Sequence, residues 1–295
     1  MRISVLTPTY NRVNLLERLY KSLVKNSNFG IEIEWLIMDD GSKKSPKKIV
    51  QKFLDENKIQ IRYFEQKNKG KMSSINSLVE EATGDFIVDC DDDDYFIDNA
   101  FEIIKKYYEK YINEKDCYAM CFLKYDQNKE NMGRNFKKVK TTMFDLYFKE
   151  NEDGEKALVF YSDIRKKYKH ELMNDEKFVT EARMYHKMDL DNKIICINEP
   201  VMICEYQKDG YTKNIFNEFK QNPYGYYEYF KEIFEHDMKR VAFSKRIYVI
   251  KHFILFTYLT KTKKSFRNIK GFLNKLLYIL LYIPGIIKTR NRFCK

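Results

Sequence analysis

Short apolar runs alternate with amphipathic stretches over about the first 110 residues of the chain. The apolar runs have the length and composition of strands, and they occupy residues 3–6, 31–40, 59–66 and 85–90. The stretches between them have apolar residues at helical spacing, most clearly at positions 15, 16, 19, 20, 23 and 24. This alternation predicts an α/β fold with a Rossmann-like, mostly parallel sheet and flanking helices.

The pattern is less regular in the remainder of the chain. Residues 118–153 show no clear period, whereas residues 176–189 have helical spacing. Residues 193–206 predict two strands that meet at Asn198, and the chain beyond residue 216 predicts helices.

Charge is distributed unevenly along the chain, whose formal net charge is +11. Residues 238–295 contain 15 Lys and Arg and no Asp or Glu, which leaves a net charge of −4 for residues 1–237. A basic, aromatic-rich segment of this kind favours a polyanionic partner, either nucleic acid or an anionic membrane surface. We therefore expect a main domain at residues 1–215 and a helical, basic C-terminal region at residues 216–295.

The composition limits the class of protein. Hydrophobic residues make up 44% of the chain, which supports a sizeable core and excludes a disordered chain. The six cysteines form no CxxC pair, as expected for reduced thiols in a cytosolic compartment. Because the chain begins at once with an apolar strand that Pro8 interrupts, we expect no signal peptide.

Polar side chains follow three of the predicted strands at the point where each strand ends. They are residues 7–12 after the first strand, Asp39 and Asp40 after the second, and an acidic cluster within the stretch GDFIVDCDDDDYFID at residues 84–98. Because the carboxyl ends of parallel strands meet at one edge of a sheet, we expect these groups to converge on one ligand-binding crevice.

The acidic cluster predicts a site for a hard divalent cation. An EF-hand loop that starts at Asp91 fails, because Phe96 stands where glycine is required and Tyr95 at a ligand position. An aspartyl-phosphate enzyme would use a strand-end Asp as nucleophile, but the Gly-Thr that usually follows that Asp is absent here. A D-x-D pair of Asp91 and Asp93, which holds Mg²⁺ or Mn²⁺ against a nucleotide diphosphate, remains. The alternative is a solvated acidic turn that caps the helix near Asp98.

Four stretches together resemble the conserved blocks of family 2 glycosyltransferases with the GT-A fold. They are ISVLTPTYNR at residues 3–12, LIMDDGS at 36–42, NKGKMSSIN at 68–76 and VDCDDDDYF at 88–96. A weaker similarity continues through residues 176–189 and 197–214. The resemblance implies an inverting transfer of a sugar from a nucleotide donor, usually UDP-linked, with residues 1–215 as the catalytic domain.

The resemblance also implies roles for individual residues. The residues that it places around the nucleotide are Pro8 and Tyr10 at the nucleobase, Arg12, Asp39 as acceptor of a hydrogen bond from the base, Lys71 near the diphosphate and Asp91 near the ribose. Asp93 matches the metal ligand, with Mn²⁺ or Mg²⁺ as cofactor. A divalent cation would stabilise the negative charge that develops on a diphosphate leaving group.

Other positions near these motifs are expected to have lesser roles. Asp92 stands where many relatives have Ser, and we interpret it as an extra solvated charge. Asp89 is expected to be structural, and Cys90 to be a small core residue.

Inversion also needs a base that takes the proton of the acceptor hydroxyl. Many relatives use a Glu-Asp pair at the start of a downstream helix, and here Glu181 is followed by Ala182. Glu181 is therefore the predicted base, with Asp175 and Glu176 as nearby alternatives. His186 is either an acceptor-site group or, as is more usual for a lone histidine, structural.

The apolar segment at residues 271–287 is marginal for crossing a bilayer, because it is 17 residues long and contains Lys275 and Pro284. Basic residues flank it on both sides, and Tyr278 and Tyr282 suit a membrane interface. We expect a helix that lies on an anionic membrane at its cytoplasmic face. A partner helix or a true span are the alternatives.

Two other classes of function remain as alternatives to a membrane-associated glycosyltransferase of cell-surface glycan synthesis. A nucleotidyltransferase would need a glycine-rich N-terminal loop, and TPTYNR contains no glycine. A non-catalytic module that binds a sugar nucleotide or a membrane would explain Ala182. No motif for nucleic acid recognition is evident.

Overall fold

The computed structural model describes residues 1–205, 214–236 and 238–293. The chain forms two compact units that interleave in sequence. The first unit comprises Met1–Thr142, Glu152–Lys169 and Met188–Gln207, and the second comprises Met143–Asn151, His170–Lys187 and Lys208–Lys295. These units do not follow the predicted boundary between residues 215 and 216, because two earlier segments of the chain belong to the second unit.

A mixed nine-stranded sheet forms the centre of the first unit. Its strands are β1 (Arg2–Thr9), β2 (Glu32–Asp39), β3 (Gln60–Glu65), β4 (Phe86–Asp89), β5 (Tyr95–Phe96), β6 (Cys117–Tyr125), β7 (Lys140–Thr141), β8 (Lys156–Tyr161) and β9 (Lys193–Ile203). The strand order is β3-β2-β1-β4-β8-β6-β9-β5, and β7 also pairs with β9. Strands β3, β2, β1 and β4 are mutually parallel, which confirms the fold predicted from the alternating pattern.

The described helices are distributed over both units. They are α1 (Leu16–Asn26), α2 (Lys47–Glu56), α3 (Lys71–Glu81), α4 (Ala100–Lys110), α5 (Met143–Phe148), α6 (Ser162–Arg165), α7 (Glu181–Met188), α8 (Ile215–Gln221), α9 (Pro223–Glu232), α10 (Phe243–Leu259) and α11 (Phe272–Phe293). Helices therefore do follow residue 216, as predicted.

The core of the first unit lies between the parallel strands and their helices. Seven consecutive residues of β1 and seven of β2 are buried, as expected for central strands covered on both faces. The Trp35 ring lies beside Tyr20 and Phe53, which stack with centroids 4.1 Å apart. Cys90 is fully buried in this core, as predicted.

The structure corrects two boundaries. Strand β1 extends to Thr9, so Pro8 is a buried strand residue and not a loop residue. Strand β9 is continuous, and the two strands predicted to meet at Asn198 are one strand with a bulge opposite β6. The bulge is stabilised by the Asn198 side chain, which hydrogen-bonds the backbone of Phe136 in both directions at 2.7 and 3.1 Å.

The second unit is helical and rich in aromatic side chains. Helix α11 packs on α10, where the position of a Cβ added to Gly285 lies 2.9 Å from an Ile254 methyl group. Only a residue without a side chain allows this close approach. Of the described helices, α11 alone is long and apolar enough to cross a membrane by length and composition, and 17% of its most apolar window is buried.

A group of buried and half-buried rings in the second unit, the histidine cluster, contains His186, His236, Phe144, Phe148 and Tyr229. The rings of Phe144 and His236 stack at 4.0 Å, and His186 lies 5.2 Å from Phe144 and 5.5 Å from Tyr229. Burial, and to a lesser degree the neighbouring His236, lowers the pKa of His186 to about 3. His186 is thus a neutral core residue, which supports its structural interpretation.

Candidate functional site

Residues 91–94, called the aspartate turn below, follow β4 at its carboxyl end, with Cys90 between them and the strand. Arg12, just after β1, reaches this turn with its guanidinium 3.1 Å from Asp93 and 3.4 Å from Asp92. Thr9 donates a hydrogen bond of 2.8 Å from its hydroxyl to Asp92. The predicted convergence of these two strand ends is therefore present in the first unit.

The loop before α3 approaches the same edge of the sheet. Lys71, the first residue of α3, places its ammonium 2.7 Å from an oxygen of Asp91. Asp40 fixes this loop, because its carboxylate accepts the backbone N–H groups of Lys69 and Gly70 at 2.8 Å. Gly70 has a φ of 93°, a backbone conformation that favours glycine.

Hydrogen bonds at the end of β2 link the loop that follows β1 to the loop that follows β2. Asp39 is buried and accepts the backbone N–H of Ser42 at 2.9 Å and the hydroxyl of Tyr63 at 3.4 Å. Asn11 donates its backbone N–H to the Ser42 hydroxyl at 2.8 Å. Tyr10, between these contacts, is 44% exposed and presents its ring to solvent, as stacking on a base requires.

Burial distinguishes the members of the aspartate turn. The side chains of Asp92 and Asp94 are 5% and 4% exposed, whereas that of Asp91 is 40% exposed. The interpretation of Asp92 as a solvated charge is therefore wrong, because the residue is enclosed by Thr9 and Arg12. The alternative of a solvated acidic turn does not fit either, since only Asp91 has substantial exposure.

The electrostatics of the turn indicate an excess of buried negative charge. Burial raises the pKa of Asp92 to about 7, against the opposing effects of Thr9 and Arg12. Burial and the carboxylates of Asp91 and Asp94 raise the pKa of Asp93 to about 6. A divalent cation would relieve this repulsion, so the donor set of Asp91 and Asp93 fits Mn²⁺ or Mg²⁺.

The negative charge of Asp94 is balanced by a largely buried lysine of the same unit. The Lys124 ammonium lies 2.7 Å from Asp94 and 3.4 Å from Glu155. Burial lowers the pKa of Lys124, but these two carboxylates outweigh it and raise that pKa well above its ordinary value. Asp94, Glu155 and Cys204 offer atoms close enough to hold a metal ion, but the ammonium already bridges the two carboxylates.

Two supporting residues, Lys124 and Arg18, were not identified from the sequence, and the supporting role of a third, Asp40, was not predicted. Lys124 lies on β6, in the region without a clear period, and Asp40 was expected only as a strand-end acid. Arg18 on α1 donates a hydrogen bond of 2.7 Å to the carbonyl of Asp93, pairs with Glu205 and covers the Tyr95 ring at 4.4 Å. Nothing in the helical spacing of α1 distinguishes Arg18 from a surface residue.

The candidate bases lie in the second unit. Glu181 is the first residue of α7. Glu176 is occupied structurally, because its carboxylate accepts the backbone N–H groups of Tyr224 and Gly225 at the start of α9, at 2.6 and 2.7 Å. Asp175 has a φ of 61°, in the left-handed region. The weaker family similarity at residues 197–214 includes 206–213, which lie outside the described residues.

Asp89 lies beside a buried arginine, which is consistent with the structural role expected for it. Its carboxylate lies 3.7 Å from the guanidinium of Arg165, whose side chain is fully buried in the first unit.

Comparisons with known sequences identify the family. The sequence model of Glycosyl transferase family 2 matches residues 4–197. A β-1,3-glucosyltransferase from Campylobacter jejuni, named for GalNAc(5)-diNAcBac-PP-undecaprenol, is 25% identical over 294 residues, which cover 97% of this chain and 91% of that protein. An uncharacterised glycosyltransferase of Mycoplasma genitalium is 36% identical over 114 residues, but these span 38% of its length and 37% of this chain.

Solved structures show the same fold. The structure of TarS 1–349 from Staphylococcus aureus in complex with UDP-GlcNAc aligns with a TM-score of 0.63 and 16% identity, and covers 98% of this chain and 89% of that chain. The mannosyltransferase PcManGT from Pyrobaculum calidifontis, with GDP-Man and Mn²⁺, aligns with a TM-score of 0.56 and 13% identity, over 98% and 83% of the two chains. Together with the family match, these alignments confirm the GT-A fold class. The chain belongs to glycosyltransferase family 2.

Proposed function

We propose that this protein is an inverting, metal-dependent glycosyltransferase that moves a sugar from a UDP-sugar to a glycan or lipid-linked acceptor in cell-surface polysaccharide synthesis. The observation that carries the proposal is the convergence of Arg12, Lys71, Asp91 and Asp93 at the carboxyl edge of the sheet. Such an edge is where open α/β sheets bind nucleotides. The UDP-GlcNAc complex of TarS and the lipid-linked substrate named for the Campylobacter relative support the donor and acceptor classes.

The donor-binding roles follow from the chemistry of each side chain. The exposed Tyr10 ring stacks on the uracil, and Asp39, at the end of β2, accepts a hydrogen bond from the base. Pro8 fixes the end of β1 beneath the nucleoside, and Asp91 lies near the ribose.

Arg12 and Lys71 face the diphosphate as the cationic side chains of the site. They exchange their contacts with the aspartate turn for contacts with phosphate oxygens, and so stabilise the leaving group as its charge develops. Asp93, with Asp91, would hold the divalent cation, and that cation supplies Lewis-acid stabilisation of the leaving diphosphate when it is bound.

Glu181 is proposed as the base that removes the proton of the acceptor hydroxyl. It begins α7, and Glu176 is excluded from the role by its hydrogen bonds to the start of α9. Glu181→Gln should lower kcat by roughly a thousandfold and leave the affinity for UDP unchanged. Asp175→Asn is the matched control, and if it rather than Glu181→Gln abolishes turnover, the base is assigned wrongly.

We also propose that the enzyme is cytoplasmic and peripheral on the inner face of the cell membrane. The support is the basic composition of residues 238–295 and the apolar surface of α11. Such a location would bring the catalytic unit to a lipid-linked acceptor.

The nucleotide proposal is tested by calorimetric titration of UDP, GDP and dTDP, with and without Mn²⁺. We expect UDP to bind only with Mn²⁺, and Asp93→Ala to abolish this binding. Asp98→Ala is the control, because Asp98 is an acid whose side chain is 79% exposed close to the turn. If no nucleotide binds under any condition, the aspartate turn has another role. If UDP binds but no UDP-sugar turns over, the protein is a binding module.

A further inference from the structure

Helix α11 exposes a continuous row of apolar side chains, called the α11 stripe. Its members are between 41% and 85% exposed, and they are Phe272, Leu276, Ile279, Leu280, Ile283 and Ile287. Their spacing places all six on one side of the helix. Gly285 and Tyr278 lie on the other side, where they contact Ile254 and Phe253 of α10.

A shallow, open groove lies at the C-terminal end of the stripe. Its apolar part is formed by Ile283, Pro284 and Ile287, and its polar part by Lys288, Asn291 and Arg292. The Arg292 guanidinium stacks 3.4 Å above the Phe216 ring, which holds this cation beside the groove. An apolar floor next to two cations matches an amphiphile with an acyl chain and a phosphate.

The charge of the segment around α11 indicates which partner covers the α11 stripe. Residues 238–293 contain no Asp or Glu, so a second copy of the chain would bring basic residues against basic residues. An anionic bilayer supplies both an apolar layer and the complementary charge. A transmembrane span would place Lys275 in hydrocarbon, and one side of α11 is already packed on α10.

We propose that α11 lies in the plane of an anionic bilayer, with the α11 stripe at the headgroup–acyl boundary and with Lys288 and Arg292 on phospholipid phosphates. This inference rests on the proposed membrane location and adds the surface, its orientation and the lipid chemistry. It does not depend on the donor, so its failure would leave the glycosyltransferase proposal intact. The second unit thus carries a membrane-docking face of its own.

Flotation of the full chain with lipid vesicles tests the proposal. We expect binding to vesicles of 70% phosphatidylcholine and 30% phosphatidylglycerol, and at least about tenfold weaker binding to phosphatidylcholine alone. The double variant Ile279→Glu/Ile283→Glu should lose binding to both. Leu190→Glu is the matched control, because Leu190 is an apolar residue that is 60% exposed and lies in the first unit.

The groove is tested with Lys288→Gln/Arg292→Gln, which removes two charges and leaves the stripe intact. Binding to anionic vesicles should weaken by roughly 25-fold, since each basic residue at such a surface contributes about fivefold. Lys21→Gln/Lys25→Gln, two exposed lysines of α1 in the first unit, controls for net charge. Far-UV circular dichroism and thermal unfolding of each variant verify that the chain remains folded.

Several outcomes would overturn the inference. Undiminished vesicle binding by Ile279→Glu/Ile283→Glu would remove the stripe from the interface. Resistance to carbonate extraction would show a span instead of an in-plane helix. Absence of vesicle binding, together with a concentration-dependent dimer that this double variant abolishes, would assign the face to a second copy of the chain.

Discussion

The aspartate turn of the first unit and the histidine cluster of the second unit bury titratable side chains in opposite ways. In the aspartate turn, carboxylates are crowded together and contacted by Arg12, Lys71 and Lys124. In the histidine cluster, His186 is enclosed by aromatic rings and is neutral because burial lowers its pKa to about 3. The first arrangement retains charge inside the protein, whereas the second removes it.

This difference in buried charge distinguishes a functional site from a structural core. Crowded carboxylates with raised pKa values cost stability, and such clusters are concentrated where ligands or catalysis require them. A neutral histidine buried among rings contributes packing instead of a charge that a reaction could use. Both regions contain groups with perturbed pKa values, so a shifted pKa identifies a functional residue only together with the charges that surround it.

The largest effect is expected at Asp93. Asp93→Asn should lower turnover of the UDP-sugar substrate by roughly a thousandfold, because stabilisation of the leaving diphosphate is lost. Steady-state kinetics at saturating Mn²⁺ measure this change. Asp98→Asn should remain within about twofold of the parent. Comparable losses in the two variants would remove the distinction between the aspartate turn and ordinary surface acids.

A smaller effect is expected when the buried charge pair of the first unit is broken. Lys124→Met leaves Asp94 without its counter-charge and should lower the free energy of unfolding by about 3 kcal/mol, as measured by urea denaturation. Lys124→Met combined with Asp94→Asn removes both charges and should recover part of that loss. If the single variant is as stable as the parent, the charges of the turn are not balanced by Lys124.

Acid should destabilise the histidine cluster. An unfolded chain protonates His186 below about pH 6.5, whereas the folded protein does so only near pH 3, so the stability contributed by neutral His186 is lost as the pH falls through this window. At pH 5 the loss is about 2 kcal/mol. His186→Leu should reduce the slope of unfolding free energy against pH between 6.5 and 4, and Phe148→Leu should retain it. An unchanged slope in His186→Leu would show that His186 is not neutral in the fold.

The smallest effect concerns the exposed aromatic ring of the first unit, in contrast with the buried rings of the second. Tyr10→Ala should weaken UDP binding by about tenfold through loss of base stacking. Tyr10→Phe keeps the ring and should bind UDP nearly as well as the parent. Calorimetry distinguishes the two, and equal affinities for Ala and Phe would mean that the ring does not contact the base.

Much of the site is predictable from the sequence. The alternation of strands and helices predicted the parallel half of the sheet, and the position of the aspartates predicted that they follow β4 at its carboxyl end. Arg12 was predicted beside the same crevice from its position after the first strand and Lys71 from the family resemblance, and both contact the aspartate turn. The elements and the strand-end positions are local in sequence, because side-chain periodicity reports which face of an element is buried.

Other features were determined only by the tertiary structure. These features join residues that are distant in the chain. They are the burial of Asp92, the ion pair of Asp94 with Lys124 and the hydrogen bond from Arg18 to the carbonyl of Asp93. Strand β8 enters the sheet between β4 and β6 in antiparallel orientation, which no local period reveals.

The sequence by itself thus determined the elements of about the first 110 residues, the acidic strand end and the basic C-terminal region. The tertiary structure decided which charges meet and which apolar face of α11 stays uncovered. The physical reason is that periodicity and charge runs are properties of neighbouring residues. Ion pairing and burial, in contrast, depend on strand order and helix packing, which bring together residues far apart in sequence.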